Sequence, residues 1–209
     1  MKAAPKTRKT SEGPRLSRED WIDAAFKAVV DGGFDNVRVL VLADKLGVTR
    51  GSFYWHFADH AELVSDLLKQ WRDYQREQDR IARSEIDPDP QKDLERLIDI
   101  ALRHGGKDLE YMRFELALRG YGRRDAEVAK MLVDVDQERM DMVKEKYMRL
   151  TNNDAQKSQE LASLFYLAIV GSYQALSRPV NPPMIREYLK NIIANYLVQE
   201  QQSSKAKKK

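Results

Sequence analysis

The chain predicts an all-α fold, with a small three-helix helix-turn-helix domain at the N-terminus and a larger helical domain after it. Three observations carry that expectation. Apolar residues recur at helical spacing from Trp21 to Leu197. Glycine pairs and proline clusters punctuate the chain where one stripe ends and the next begins. The run Leu46 to Phe57 has the layout of a turn feeding a short helix. A length of 209 residues suits one large or two modest domains.

Ser17 opens the first helix as an N-cap, with Asp20 three residues on to complete a capping box and Leu16 and Trp21 placed as a hydrophobic staple. Ile22, Ala25, Phe26 and Val29 continue the stripe until Gly32-Gly33 stops it. Val39-Leu40-Val41-Leu42 has strand propensity and more apolar side chains than a half-buried helix needs. Leu42, Ala43 and Leu46 nevertheless form a helical stripe, and Gly47 supplies the left-handed conformation that ends a helix. Thr49 is placed to cap the next one. Phe53 and Phe57, four apart, face the core and leave Arg50, Gly51, Tyr54 and the polar edges of Ser52, Trp55 and His56 outside. Donors, flat rings and a glycine are what a helix lying in a major groove requires.

Gly47-Val48-Thr49-Arg50-Gly51-Ser52-Phe53-Tyr54-Trp55-His56-Phe57 resembles the helix-turn-helix signature of the tetracycline repressor (TetR) family, and the likeness runs from Ser17 to Glu62-Leu63. The resemblance implies an Ω-shaped homodimeric repressor that reads a palindromic operator in double-stranded DNA and is released by a small-molecule effector. By that match Arg50, Gly51, Ser52 and Tyr54 meet the operator, with Thr49, Trp55 and His56 on phosphates and Arg38 on another. It also settles Val39–Leu42 as helix, with Leu40 and Val41 departing from the more polar residues expected there. His56 has a second reading as a core histidine bonded to a backbone carbonyl.

Composition narrows the function further. The net charge is +3, but residues 1–15 and 201–209 carry +4 each, which leaves the body at −5. Such a body is no general polyanion binder, so DNA contact must come from a local surface and the tails. Residues 1–15 read as a disordered basic arm able to reach phosphates or a minor groove, and 201–209 as a disordered solubilising tail. The chain has no cysteine and three histidines, so neither disulfides nor a metal site is expected. No signal peptide or membrane-spanning run appears, and a cytoplasmic protein without membrane contact is expected. No Gly-rich phosphate loop and no Ser/His/Asp set is present, so neither an enzyme nor a cofactor is implied.

The helix-turn-helix domain is drawn over 16–60, and a ligand-binding and dimerisation domain over 61–200. Asp59 and Glu62 cap a helix whose Leu63, Leu67, Trp71 and Tyr74 share a face as far as about Ile81. Asp87-Pro88-Asp89-Pro90 breaks the chain before Leu94, Leu97 and Ile98 mark the next helix. Leu109, Met112, Leu116 and Arg119 follow on another, ended by Gly120 and Gly122, and Asp125 caps a helix burying Val128, Leu132, Val135, Met142 and Val143. Trp71, Tyr74, Met112, Glu115, Arg119, Phe165 and Tyr166 are the candidates for an effector pocket. Taken singly, each aromatic or methionine fits plain core better, and Glu115 with Arg119 also fits a surface ion pair.

Two apolar helices close the chain. Leu161, Phe165, Ala168, Ile169 and Ser172 form the stripe of the first, and Leu189 and Ile193 belong to the second, capped by Asn181 with Pro182 at its first position. These seven residues are the expected dimer interface, since reading two half-sites in successive major grooves needs a two-fold pair. An intramolecular core would use the same stripes. A ligand-independent DNA-organising protein of the same fold is the alternative to a ligand-responsive regulator.

Overall fold

The computed structural model describes residues 16–84, 86–101 and 106–174, with 187–188 and 191–192 beyond them. The basic arm, the Asn181 cap, Leu189, Ile193 and the lysine tail lie outside these residues, as does the side chain of Ser172. Every described element is helical: α1 (Arg18–Gly32), a 3-10 turn (Phe34–Asn36), α2 (Val39–Lys45), α3 (Arg50–Phe53), α4 (His60–Ser84), α5 (Pro90–Ala101), α6 (Gly106–Gly122), α7 (Ala126–Leu150) and α8 (Ala155–Gln174).

Local chemistry explains the boundaries. The Ser17 hydroxyl accepts from the Asp20 N–H and the Asp20 carboxylate accepts from the Ser17 N–H, the reciprocal arrangement that satisfies two orphan donors at a helix start. Gly33 and Gly47 take φ of +82° and +68°, where a side chain is strained, so the chain turns sharply before the 3-10 turn and between α2 and α3. Asp125 accepts from the N–H groups of Glu127 and Val128 at the start of α7. Asn152 and Asn153, both left-handed, reverse the chain between α7 and α8. Thr49 occupies the N-cap position of α3 but its side chain makes no capping bond, which corrects the expected cap.

Val39–Leu42 is helical despite its strand propensity. Leu42 and Ala43 are buried and decide the matter by tertiary packing, while Leu40 remains 64% exposed.

Two cores run through the molecule. The first joins the N-terminal helices to α4, α6 and α7: Trp21, Phe53 and Leu63 are fully buried and share it with Trp71, Phe114 and Leu118. Burial of each such side chain stabilises by about 1.5–3 kcal/mol. The second is made by α5, α7 and α8, with Leu97, Val143, Tyr147, Leu161, Phe165 and Ile169. Beside it Asp93, 2% exposed, receives Lys146 Nζ at 2.9 Å and Arg149 Nη1 at 2.6 Å, so its buried charge is compensated.

Helix α8 corrects part of the expected dimer surface. Leu161, Phe165 and Ile169 face inward onto α7 and are buried within the protomer. The outward face at the same helical spacing is Leu164, Leu167, Ala168 and Gly171, with Leu164 62% and Leu167 67% exposed. Both faces of α8 are apolar, and the inner one is taken up by α7.

Candidate nucleic-acid interface and effector cavity

The helix-turn-helix geometry begins with two inward rings. Phe53 and Phe57 are buried and stack at 5.1 Å, and Trp21 meets Phe53 edge-on at 5.3 Å, which fixes the orientation of α3 and its following turn. The opposite side is open: Trp55 is 87% and Tyr54 51% exposed, and Thr49, Arg50, Gly51 and Arg38 are also exposed. Ser52 and His56 are half-buried. Arg50 Nη2 donates to the Tyr54 hydroxyl at 3.0 Å, with its guanidinium 5.7 Å from the ring centre, so these two side chains are held as one unit. Arg38 donates to the Asp35 carbonyl at 2.8 Å at the start of α2. A Cβ at Gly51 would meet only Thr49 Oγ1 at an ordinary 3.7 Å, so nothing inside the fold requires glycine there. The carbonyl-bonded histidine is His60, whose Nε2 lies 2.6 Å from the Val37 oxygen.

Arg18, which the sequence reading did not single out, positions this surface. Its guanidinium donates to Asp66 Oδ2 at 2.7 Å, to Glu62 Oε1 at 2.6 Å and to the carbonyl of His56, and lies 4.2 Å from the centre of the Phe57 ring. Hydrogen bonding to Glu62, with further help from Asp66, outweighs desolvation and raises its pKa. One residue of α1 thereby clamps the end of the recognition turn to α4. The signal available in the sequence was an arginine at the first position of a helix, where a cation opposes the dipole and needs another reason to be present. Arg18→Ala is expected to weaken operator binding about tenfold with little change in dimerisation, measured by gel shift and sedimentation.

The second site is a cavity of about 180 Å³ lined by residues of α4, α5, α6, α7 and α8. It brings together Tyr74, Met112, Glu115, Arg119, Phe165 and Tyr166 from the sequence candidates. Trp71 does not line it: fully buried in the first core, it faces the DNA-binding end of α4, which corrects that candidate. Glu115 and Arg119 are no surface pair, with side chains only 13% and 17% exposed.

Their network is extensive. Glu115 accepts from Arg119 at 2.8 Å and from both terminal nitrogens of Arg139 at 2.9 Å. Arg119 also donates to both oxygens of Asp136, at 2.7 and 3.1 Å, and Arg139 donates to Gln75 Oε1 at 2.6 Å. The Tyr166 hydroxyl donates to Asp136 at 2.6 Å. Burial works to raise the pKa of Glu115, but the two guanidinium groups prevail and hold it at about 2. Burial pushes the Tyr166 phenol up to about 12.

Arg139, Gln75, Gln78 and Asp79 were absent from the expected pocket, although a signal existed. On α4 the buried positions Leu67 and Trp71 continue at helical spacing into Gln75, Gln78 and Asp79, and on α7 Val135 continues into Arg139 and then Met142. Polar residues standing where an apolar stripe should continue mark an internal site.

A column of rings leads away from the cavity. Tyr74 stacks on Tyr111 at 3.5 Å, Tyr111 meets Phe26 of α1 at 4.8 Å, and Phe26 stacks on Phe114 at 4.9 Å. Phe114 meets Phe34 of the 3-10 turn at 5.5 Å, and Phe34 stacks on Tyr121 at 4.6 Å. The cavity wall and the N-terminal helices therefore share one packed aromatic core.

Residues 22–67 match the model of the tetR family of bacterial regulatory proteins. The HTH-type transcriptional regulator TtgR of Pseudomonas putida is 36% identical over 83 residues, 40% of this chain and 40% of TtgR. The class D tetracycline repressor of Escherichia coli is 34% identical over 64 residues, 29% of each chain. The chain thus matches less than half the length of these curated relatives. Across most of the chain, a transcriptional regulator from Rhodococcus sp. Rha1 aligns with TM-score 0.69 at 17% identity, covering 88% of this chain and 97% of that one. A regulator from Saccharomonospora viridis, in complex with choline, aligns with TM-score 0.71 at 17% identity, covering 85% and 95%. These structural likenesses speak for the fold alone, and it is over residues 22–67 that the chain is similar to the tetR family of bacterial regulatory proteins.

Proposed function

We propose that the protein is a ligand-responsive transcriptional regulator, a repressor that leaves its operator when a small molecule fills the cavity between α4 and α8. The observation that carries this reading is the shared aromatic core, in which Tyr74 and Tyr111 line the cavity and Tyr111 in turn meets Phe26 of α1. An occupant that displaces Tyr111 moves Phe26, and with it the helix whose Arg18 holds the recognition turn. The switch is a population shift: the effector favours the form whose half-site spacing mismatches the operator. That a relative of the same fold is in complex with choline supports a small-molecule occupant. Arg50, Gly51, Ser52 and Tyr54 meet bases and backbone in the major groove, and Arg38, Thr49, Trp55 and His56 hold phosphates. The bare backbone at Gly51, unneeded by the fold, supports close approach to DNA.

The working unit is a homodimer on a palindromic operator, formed through the outward stripe Leu164, Leu167, Ala168 and Gly171. Ala168→Glu would bury an unpaired carboxylate between protomers, and a monomer in sedimentation with operator affinity lost is the expected result. Persistence of the dimer would place the interface elsewhere. The switch itself is tested by a compound screen read by thermal shift and by operator release. Compounds that raise the melting temperature and release DNA support it, whereas operator binding indifferent to every cavity ligand would make the protein a DNA-organising one.

A further inference from the structure

We infer that the effector cavity is a site for a small organic cation, an amine or quaternary ammonium, with Asp79 as its counter-ion. The inference rests on the cavity being a ligand site and adds the chemical class.

The charges decide it. Among the described residues, the two guanidinium groups that line the cavity already have their own acids: Arg139 has Glu115, and Arg119 has Asp136 and a share of Glu115. Pairing them off leaves no unpaired guanidinium among the described lining residues for an anionic ligand. Asp79 is left over: it lines the cavity and makes no hydrogen bond or ion pair among the described residues. Its carboxylate is half-buried, and desolvation, with Glu138 adding to it, holds its pKa above the ordinary value against the longer-range attraction of Arg139, Arg83 and Arg72, none of which forms an ion pair with it. An unpaired carboxylate in a partly dry cavity is stabilised by a cation that brings its own charge, and such charge-assisted contacts are the strong ones.

The rest of the wall suits the same guest. Tyr74, Tyr111 and Phe165 bring aromatic rings to the lining, a residue type that attracts alkylammonium groups, and Met112 and Met142 supply adaptable apolar contact. Gln78, one residue before Asp79, adds a neutral acceptor for an N–H. A cavity of about 180 Å³ suits a ring-sized molecule, since a void of about 150 Å³ holds benzene. A bulky multi-ring compound requires the walls to open.

Calorimetric titration of the full chain with benzyltrimethylammonium, benzyl alcohol and benzenesulfonate tests this, on the natural protein and on Asp79→Asn. The natural protein should bind the cation, and Asp79→Asn should weaken it about tenfold or more while leaving the affinity for benzyl alcohol and the melting temperature near their original values. Equal cation affinity on both proteins, no cation binding, or a preference for benzenesulfonate overturns the proposal. Gel shifts separate this from the regulatory reading. Asp79-dependent cation binding that leaves the operator occupied upholds the ligand class and removes the effector role. Release by a neutral compound seated in the cavity, with the cation inert, does the reverse.

Discussion

Replacing Tyr54 or Arg50 with alanine is expected to weaken operator binding by about a hundredfold or more while leaving the melting temperature and oligomeric state unchanged. Both side chains are exposed and rest on the outer side of a turn whose fold depends on Phe53 and Phe57, so neither contributes much to stability. Loss of a good base or phosphate contact costs about 1–3 kcal/mol, and a dimer makes each contact twice, so the change in affinity is on the order of a hundredfold or more. Because Arg50 donates to the Tyr54 hydroxyl, the two substitutions are not independent. The double variant should bind little worse than either single one, the mark of a coupled pair. Normal binding by either variant would remove that residue from the interface, and unfolding would mean that its exposure misstates its part in the core.

Glu115→Ala should be the most destabilising single change in the larger domain. It leaves Arg139 buried with no acid, only the neutral partners Gln75 and Tyr166, and deprives Arg119 of one of its two acids. Removing one member of a buried ion pair costs about 3–5 kcal/mol, because the surviving charge stays desolvated. The pH dependence gives an independent check. Glu115 sits at about 2 in the folded protein against an ordinary 4.5, so its contribution is fully present above about pH 4.5 and is lost as pH falls toward 2. Denaturant melts at pH 7, 4.5 and 3 should show the natural protein losing stability over that interval and Glu115→Gln losing less. A parallel loss in both would show that other carboxylates govern the acid limb.

Much of this arrangement was legible in the chain, and the exceptions share a cause. Local signals with a direct mechanism succeed: the Ser17 and Asp20 box, the positive φ at Gly47 and the inward pair Phe53 and Phe57 follow from residue type and spacing. Six pocket residues could be named because large rings and a charged pair on internal helices are unusual together. The failures arise where periodicity is ambiguous. On α8 both Leu161/Phe165/Ile169 and Leu164/Leu167/Ala168 satisfy helical spacing, and only contact with α7 decides which is inside. Trp71 and Tyr74 share a stripe and are both pocket candidates, but one turn of α4 separates their environments, and only Tyr74 lines the cavity. Asp79 and Arg139 escaped notice because a polar residue on a buried face violates the pattern used to find that face.

The turn of α4 between Trp71 and Gln75 has a practical consequence for redesign. Toward the N-terminus, Leu63, Leu67 and Trp71 are locked into the core they share with the N-terminal helices, where any change of volume is felt. Toward the C-terminus, Gln75, Gln78 and Asp79 line a partly empty chamber. A single helix is thus divided into a fixed-volume half and an adaptable half, with the junction set by burial. Libraries randomised at 78 and 79 alone would explore new chemical inputs while the output address on DNA stays constant, and the same chain becomes a chassis for sensors that differ in what they detect and agree in where they bind.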